Sequence, residues 1–237
     1  MEAHKDILNS KKGSCTPSRV IPHFLDPEIV QQPVSRNRSK LTLGILGRVQ
    51  WSKFDPAYYR AISSFLKEAP GSKVLWIGSS ADGYLEGDEY TSHTIDPEII
   101  SSFGPGRAKL LDQITIGLFL SPIQESFCLA ALEVASRGTP VITNRPEIKD
   151  LLGEAAIMVV SPEDVKVVLN RLCLSGPVFA KMQKAGIALR EDKRFTYDTW
   201  EKNFFDLIST TGNESSYGKW SVIVPCHNVS PWIRQCL

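Results

Sequence analysis

The stretch Ile114 to Asn144, ITIGLFLSPIQESFCLAALEVASRGTPVITN, constrains the fold of this chain more than any other. ITIGLFL is apolar along its length, as a parallel strand covered on both faces requires. A helix from about Phe127 to Ser136 follows, stopped by Arg137-Gly138, and TPVITN reads as the next strand. Two glutamates, Glu125 and Glu133, stand eight positions apart around the start of that helix. Glu125 falls in the loop near the strand end, and Glu133 about two turns into the helix.

The same alternation runs through the rest of the chain. LTLGILG and KVLWIG are short apolar runs ending in glycine, and between them DPAYYRAISSFLKEA has apolar residues at helical spacing with Pro56 near its start. SSADGYLEGDEY is loop-like, HTIDPEIISSF holds either a short strand or a helix turn, and AKLLDQI reads as a short helix. Downstream come the helix PEIKDLLG, the strand AAIMVV and three helical pieces, PEDVKVVLNRLCL, VFAKMQKAGIALRED and TYDTWEKNFFDLIS. This order predicts an α/β fold: a Rossmann-like, mostly parallel sheet with helices on both faces. Residues 1–39 read as tail and linker, with IPHFLDPEI as a short apolar anchor that Pro22 and Pro27 keep extended. Residues 40–210 form the domain. In 211–237 a small polar linker, beginning after Ile208, leads to WSVIVPCHNVSPWIRQCL, the start of a further strand and helix.

Composition narrows the function classes. Of 237 residues 42% are hydrophobic and 22% charged, which suits a globular core. The formal net charge is +1, so no overall field points to nucleic acid or to an anionic membrane surface. Apolar runs as short as ITIGLFL do not span a bilayer, and the N-terminus lacks the apolar core of an export signal. Five scattered cysteines and four dispersed histidines show no metal-ligand spacing, so the expectation is reduced thiols, a cytoplasmic location and no bound metal.

The candidate chemistry gathers at strand ends. Gly47 and Gly78 let a ligand approach the backbone at the C-terminal edge of the sheet. The helix after Glu125 aims free N–H groups at that same edge, where an anion is favoured. Arg48 and Lys53 follow the first strand and suit a diphosphate, the arginine as a fork of donors and the lysine as a point charge. Carboxylates such as Glu125 and Glu133 accept hydrogen bonds from hydroxyl groups. Taken singly, each of these residues also has an ordinary reading: Arg48 and Lys53 as solvated loop cations, the glutamates as an exposed pair or a dipole partner. The order of strand, Ser-Pro, Glu, helix, Arg-Gly-Thr-Pro and strand carries the specificity.

In that order SPIQESFCLAALEVASRGTPVI resembles the motif of retaining GT-B glycosyltransferases of the family-4 type, known also as glycosyl transferases group 1, close to PSxxEGFGLxxLEAMAxGxPVI. NRPEIKDLLGEAAIMVVSPED is similar to the segment that follows it, GRVQWSK to the GR-x(4)-K phosphate-binding segment, and VIPHFLD to the VIPNGVD interdomain linker. The resemblance runs from about Val20 to Ile208. It implies a donor-nucleotide domain in which Gly47, Arg48 and Lys53 hold the donor diphosphate. Glu125 would serve as the catalytic positioning group on the transferred sugar, and Glu133 would bind the ribose. Backbone amides of Phe127, Cys128 and Leu129 would contact sugar and phosphate. It further implies transfer of a hexose from a nucleoside diphosphate with retention and without a metal cofactor. The acceptor, a glycan or lipid-linked glycan, would be bound by an N-terminal domain, and the parent enzyme would be cytoplasmic or peripheral at the inner face of the membrane.

Several positions depart from the pattern. Ser126 and Cys128 replace the glycines of EGFG, and Phe54 replaces the glycine after the lysine, so added side chains are expected to crowd the ligand. Only about twenty residues precede VIPHFLD, and WSVIVPCHNVSPWIRQCL resembles the opening strand of inverting, family-2-type GT-A glycosyltransferases. The expectation is the middle of a longer enzyme or a truncated reading frame, with a non-catalytic nucleotide-sugar-binding or scaffolding module as the alternative. A nucleotide-sugar epimerase or dehydrogenase is disfavoured, because GxGxxG after the first strand and a Tyr-x-x-x-Lys pair are both missing.

Overall fold

The computed structural model describes residues 21–34, 41–48, 52–78, 98–100 and 106–212. The expected tail before residue 21, the loop SSADGYLEGDEY and the C-terminal stub with His227 and Asn228 lie outside the described residues. Six strands form one parallel sheet: β1 (Thr42–Leu46), β2 (Lys73–Ile77), β3 (Glu98–Ile100), β4 (Ile116–Phe119), β5 (Val141–Thr143) and β6 (Ala156–Met158). Their spatial order is β3-β2-β1-β4-β5-β6, so the chain reverses its direction of travel across the sheet between β1 and β4. The region HTIDPEIISSF thus contributes a strand, at one edge of the sheet.

Alternation along the strands sorts the helices into two layers. Leu43, Ile45, Val74, Trp76, Ile116, Leu118 and Ile142 face one core, closed by α2 (Tyr59–Glu68) and α6 (Pro162–Leu174) through Ile62, Phe65, Val165 and Leu169. Leu46, Leu75, Ile77, Phe119 and Val141 face the other. That layer holds α1 (Pro27–Gln31), α3 (Arg107–Leu111), α4 (Leu129–Ser136) and α5 (Pro146–Leu152). The helix α7 (Gly176–Ala188) packs on α4 and α6, and α8 (Tyr197–Gly212) closes the described chain. At the sheet centre Gly44 pairs in register with Gly117. A Cβ at Gly44 would stand 2.5 Å from the Ile114 side chain and one at Gly117 2.9 Å from Val134, so the two glycines let Ile114 and α4 settle onto the sheet.

Two expectations need correction. IPHFLDPEI is not extended throughout: Asp26 accepts from the Glu28 N–H as an N-cap, Pro27 occupies the first turn, and a short helix results. The last helix also continues four residues past Ile208, to Gly212, into sequence read as linker.

The segment that carries α1 is built into the core. Leu25 and Ile29 are buried, and the Leu25 N–H donates to Phe195 O at 2.9 Å. Arg137, which ends α4, is itself fully buried and reaches beneath α1. Its Nε and Nη2 donate to Asp112 Oδ1 and Oδ2 at 2.8 and 2.5 Å, a bidentate pair. Nη1 donates to Ile29 O and Gln32 O at 2.9 and 2.7 Å, and Nη2 to Pro33 O at 2.9 Å. All five guanidinium donors are thereby matched.

Replacing Arg137 by alanine leaves Asp112 charged and buried and three carbonyls short of a donor. The expected cost is about 3–5 kcal/mol, read as a lower urea midpoint. Lys166→Ala, which removes the exposed Lys166–Glu68 pair, should cost less than about 1 kcal/mol on the same scale.

Candidate functional site

The candidate site lies at the C-terminal edge of the sheet, where β1 and β4 part. In open parallel sheets this reversal point is the crevice that takes ligands. Gly47 leaves β1 with a φ of 122°, a conformation that favours glycine. Its N–H donates to Ile77 O and its carbonyl accepts from Trp76 Nε1, both at 3.0 Å. Gly78 ends β2 against it: a Cβ there would lie 1.9 Å from Gly47 O. The two glycines so allow both strand ends to turn at one place.

Lys53 and Glu125, which follow β1 and β4 and are 72 residues apart in sequence, meet across the crevice with Nζ and Oε1 2.6 Å apart. Both loops are pinned. Ser121 Oγ lies 2.7 Å from Ser52 O and accepts from the Ile123 N–H at 3.0 Å, and Asn144 Nδ2 donates to Ser121 O at 3.0 Å. The Glu125 N–H donates to Glu147 Oε1 at 2.9 Å. Glu147 sits in the first turn of α5, so the Pro-Glu pair that opens that helix shapes the Glu125 loop. Arg48 stands exposed just beyond Gly47.

Two cavities of about 120 Å³ each flank this loop, both lined by Glu125, Phe127 and Cys128. One adds Gly47, Lys53 and Leu129, the other Ser126, Glu147 and Arg194. Arg48 lines neither. α4 begins at Leu129, two residues later than the sequence implies, and Cys128 at its N-cap makes no side-chain cap. The Leu129 N–H turns inward to Phe127 O at 3.2 Å. Among the described residues no backbone carbonyl takes the N–H groups of Phe127, Cys128 or Ala130. Those groups are placed for an anion, as helix starts are.

The three departures from the family pattern resolve differently. Phe54 is fully buried and packs on Tyr59 and Trp76 at ring distances of 5.2 and 5.9 Å, in the core on the α2 side of the sheet. It therefore does not enter the crevice. Ser126 and Cys128 do border it. Burial pushes the Cys128 thiol up to about 12, so at neutral pH it is a small protonated side chain rather than a nucleophile.

Glu133 is 1% exposed, on the inner side of α4. Arg107, at the start of α3, covers it with Nη2 2.5 Å from Oε2. The two charges touch as an ion pair. Glu133 Oε2 and Arg107 Nε are both buried without a hydrogen-bond partner among the described residues. Burial raises the carboxyl to about 7, against the pull of Arg107 and with a small push from Asp26. Arg107 does not stand out in the sequence, because it lies in a stretch without clear periodicity; Glu147 is marked only by the resemblance, as the acid of its Pro-Glu pair.

No protein-family model matches the chain, and no curated protein matches it in sequence. Solved structures do match in fold. Sucrose-phosphate synthase from Thermosynechococcus elongatus superposes with a TM-score of 0.65 at 15% identity, over 90% of this chain and 57% of that one. HepE from Anabaena, in complex with UDP-glucose, gives 0.62 at 14% identity, over 73% of this chain and 49% of its own. The C-terminal domain of LpcC, a glycosyl transferase group 1 family protein from Francisella tularensis, gives 0.50 at 20% identity, over 63% and 83%. The chain therefore spans about half the length of HepE. What it shares with these proteins is the Rossmann-like α/β fold. Among the described residues no helix is long and apolar enough to cross a membrane, and no cluster of His, Cys, Asp and Glu could hold a metal.

The raised carboxyl of Glu133 has a consequence for stability. Its value in the folded chain is about 7, against roughly 4.3 for an unfolded glutamate. Between those values the folded state holds the proton that the unfolded state has lost. Stability contributed by Glu133 is thus full at low pH and falls as pH rises through 7. Glu133→Gln should flatten the decline in melting temperature between about pH 4 and 7; an unchanged slope would contradict the assignment.

Proposed function

We propose that this chain binds a nucleoside-diphosphate sugar at the β1–β4 crevice and supplies the donor half of a glycosyltransferase. The observation that carries this reading is the meeting of Lys53 and Glu125 beneath the unpaired N–H groups that open α4. A cation and amide donors suit the diphosphate, and a carboxylate suits the sugar hydroxyls. The fold shared with HepE, itself seen with UDP-glucose, supports the ligand class, and the sequence resemblance supports the residue roles. The donor breaks the Lys53–Glu125 pair by giving each member a better-matched partner. Arg48, exposed at the same strand end, closes on the diphosphate from solvent. Glu133 takes the ribose.

In the reaction, the bond between the anomeric carbon and the diphosphate oxygen breaks as the acceptor oxygen bonds to that carbon. The acceptor's proton passes to the departing diphosphate. Charge grows on the leaving oxygens, where Lys53 and the Phe127, Cys128 and Ala130 amides are already oriented. Same-face attack gives retention, with Glu125 positioning the sugar. The acceptor, a glycan or lipid-linked glycan, would be held by a separate N-terminal domain of the parent enzyme. Retention and the acceptor class come from the family resemblance rather than from the geometry of the crevice.

Calorimetric titration with UDP-, GDP- and ADP-glucose tests the proposal. One of them should bind, and Lys53→Met and Glu125→Ala should each weaken it about tenfold or more, the equivalent of roughly 1.4 kcal/mol or more. If none binds, the crevice is a degenerate scaffold and the proposal fails.

A further inference from the structure

Glu133 is the one charged residue of α4, and few charges reach it. Arg107 comes from α3 and Asp26 from the N-cap of α1, the second raising the carboxyl that the first lowers. The neighbouring Cys128 is a neutral thiol. From α5, Glu147 is turned to the Glu125 amide, and just past α7, Arg190 is turned to Ser136 O and Val30 O. The strands beneath, IGLF and VIT, carry no ionisable side chain. Arg107 is therefore the cation on which the state of this buried carboxylate turns.

The placement of Arg107 follows from the segment before the sheet. The residue preceding it, Gly106, donates its N–H to Glu28 Oε1 at 2.9 Å. Glu28 belongs to α1, whose C-terminal carbonyls are held by Arg137. One chain of contacts thus runs from Arg137 through α1 and Gly106 to the guanidinium over Glu133. At its end, Arg107 Nε and Glu133 Oε2 are each buried and lack a hydrogen-bond partner among the described residues. A hydroxyl group can accept from the first and donate to the second, and two adjacent hydroxyls do so best.

We propose that Arg107 is a positioning residue of the donor site: held in place by α1, it keeps the Glu133 carboxylate charged and oriented, and its Nε joins Glu133 in gripping the vicinal hydroxyls of the nucleotide ribose. The proposal rests on the reading of Glu133 as the ribose acceptor and adds a second residue and a supporting segment to it. A buried carboxylate without its cation takes up a proton and loses acceptor capacity. Charge and geometry at this point therefore depend on the same side chain.

Two measurements on the full chain test this, with Arg107→Gln and Arg107→Lys as variants. The first follows the carboxyl ¹³C shift of Glu133 with pH, without ligand. The wild-type midpoint should lie near 7. Arg107→Gln should raise it by roughly one pH unit or more, and Arg107→Lys should restore most of the difference. A midpoint unmoved in Arg107→Gln overturns the proposal. The second compares UDP with 2′,3′-dideoxyuridine diphosphate. Wild type should prefer UDP about tenfold or more, and both variants, which lack Nε, should lose most of that preference. An equal preference in wild type and variants overturns the ribose contact. If the wild type binds neither of these nor the guanosine and adenosine diphosphates, the donor-site reading fails, while the titration still decides whether Arg107 controls Glu133.

Discussion

The buried guanidinium of Arg137 is the contact on which the site's geometry depends. A buried ion pair alone is weak evidence of stability, because desolvation offsets the attraction unless the remaining donors are satisfied. Here they are: Asp112 takes the charge, and Ile29 O, Gln32 O and Pro33 O take the other donors. Those carbonyls belong to the end of a helix of only five residues and to the two residues after it, where helix-end carbonyls have no partners within the helix. Arg137 ties the end of α4 to the segment that precedes the sheet. That segment places Glu28 on Gly106 and closes the layer above Glu133.

The two glutamates that bracket the start of α4 stand in opposite environments. Glu125 is partly exposed and paired with Lys53 across the strand reversal, an arrangement that a charged ligand can open. Glu133 is buried, raised by desolvation and held by one cation. Carboxylates that differ this much in surroundings do not share a task. One is suited to a sugar that arrives and leaves, the other to a fixed part of the nucleotide. On the proposed reading, the amides between them, which no backbone carbonyl takes among the described residues, would meet the diphosphate that joins those two parts.

Much of this was legible in the sequence because it depends on local order. The run ITIGLFL, the helix behind it and TPVITN specify a β-α-β unit by period and length, and the glycines after β1 and β2 mark the strand ends. Lys53 and Glu125, identified from the motif, do meet. What stayed hidden depends on partners far along the chain. Arg137 read as the residue before a stopping glycine, yet it contacts Ile29 O, 108 positions away. Arg107 lay in a stretch with no clear period, and nothing local marks an arginine as the cover of a carboxylate. Phe54 was expected to crowd the ligand, but a large apolar side chain is drawn to the core rather than the crevice. Proline alone suggests extended chain at Pro27, whereas the preceding Asp26 makes it a helix start.

We propose that one crevice, between β1 and β4, receives the nucleotide along the start of α4. Titrating the ¹⁵N-labelled chain with UDP, GDP and ADP and following its amide resonances is the sharpest test. With the nucleotide that binds, the largest shifts should fall on Phe127, Cys128 and Ala130, with Gly47 and Glu133 next. Shifts gathered instead at the opposite end of the sheet, around the cavity lined by Leu41, Thr115 and Cys173, would contradict it.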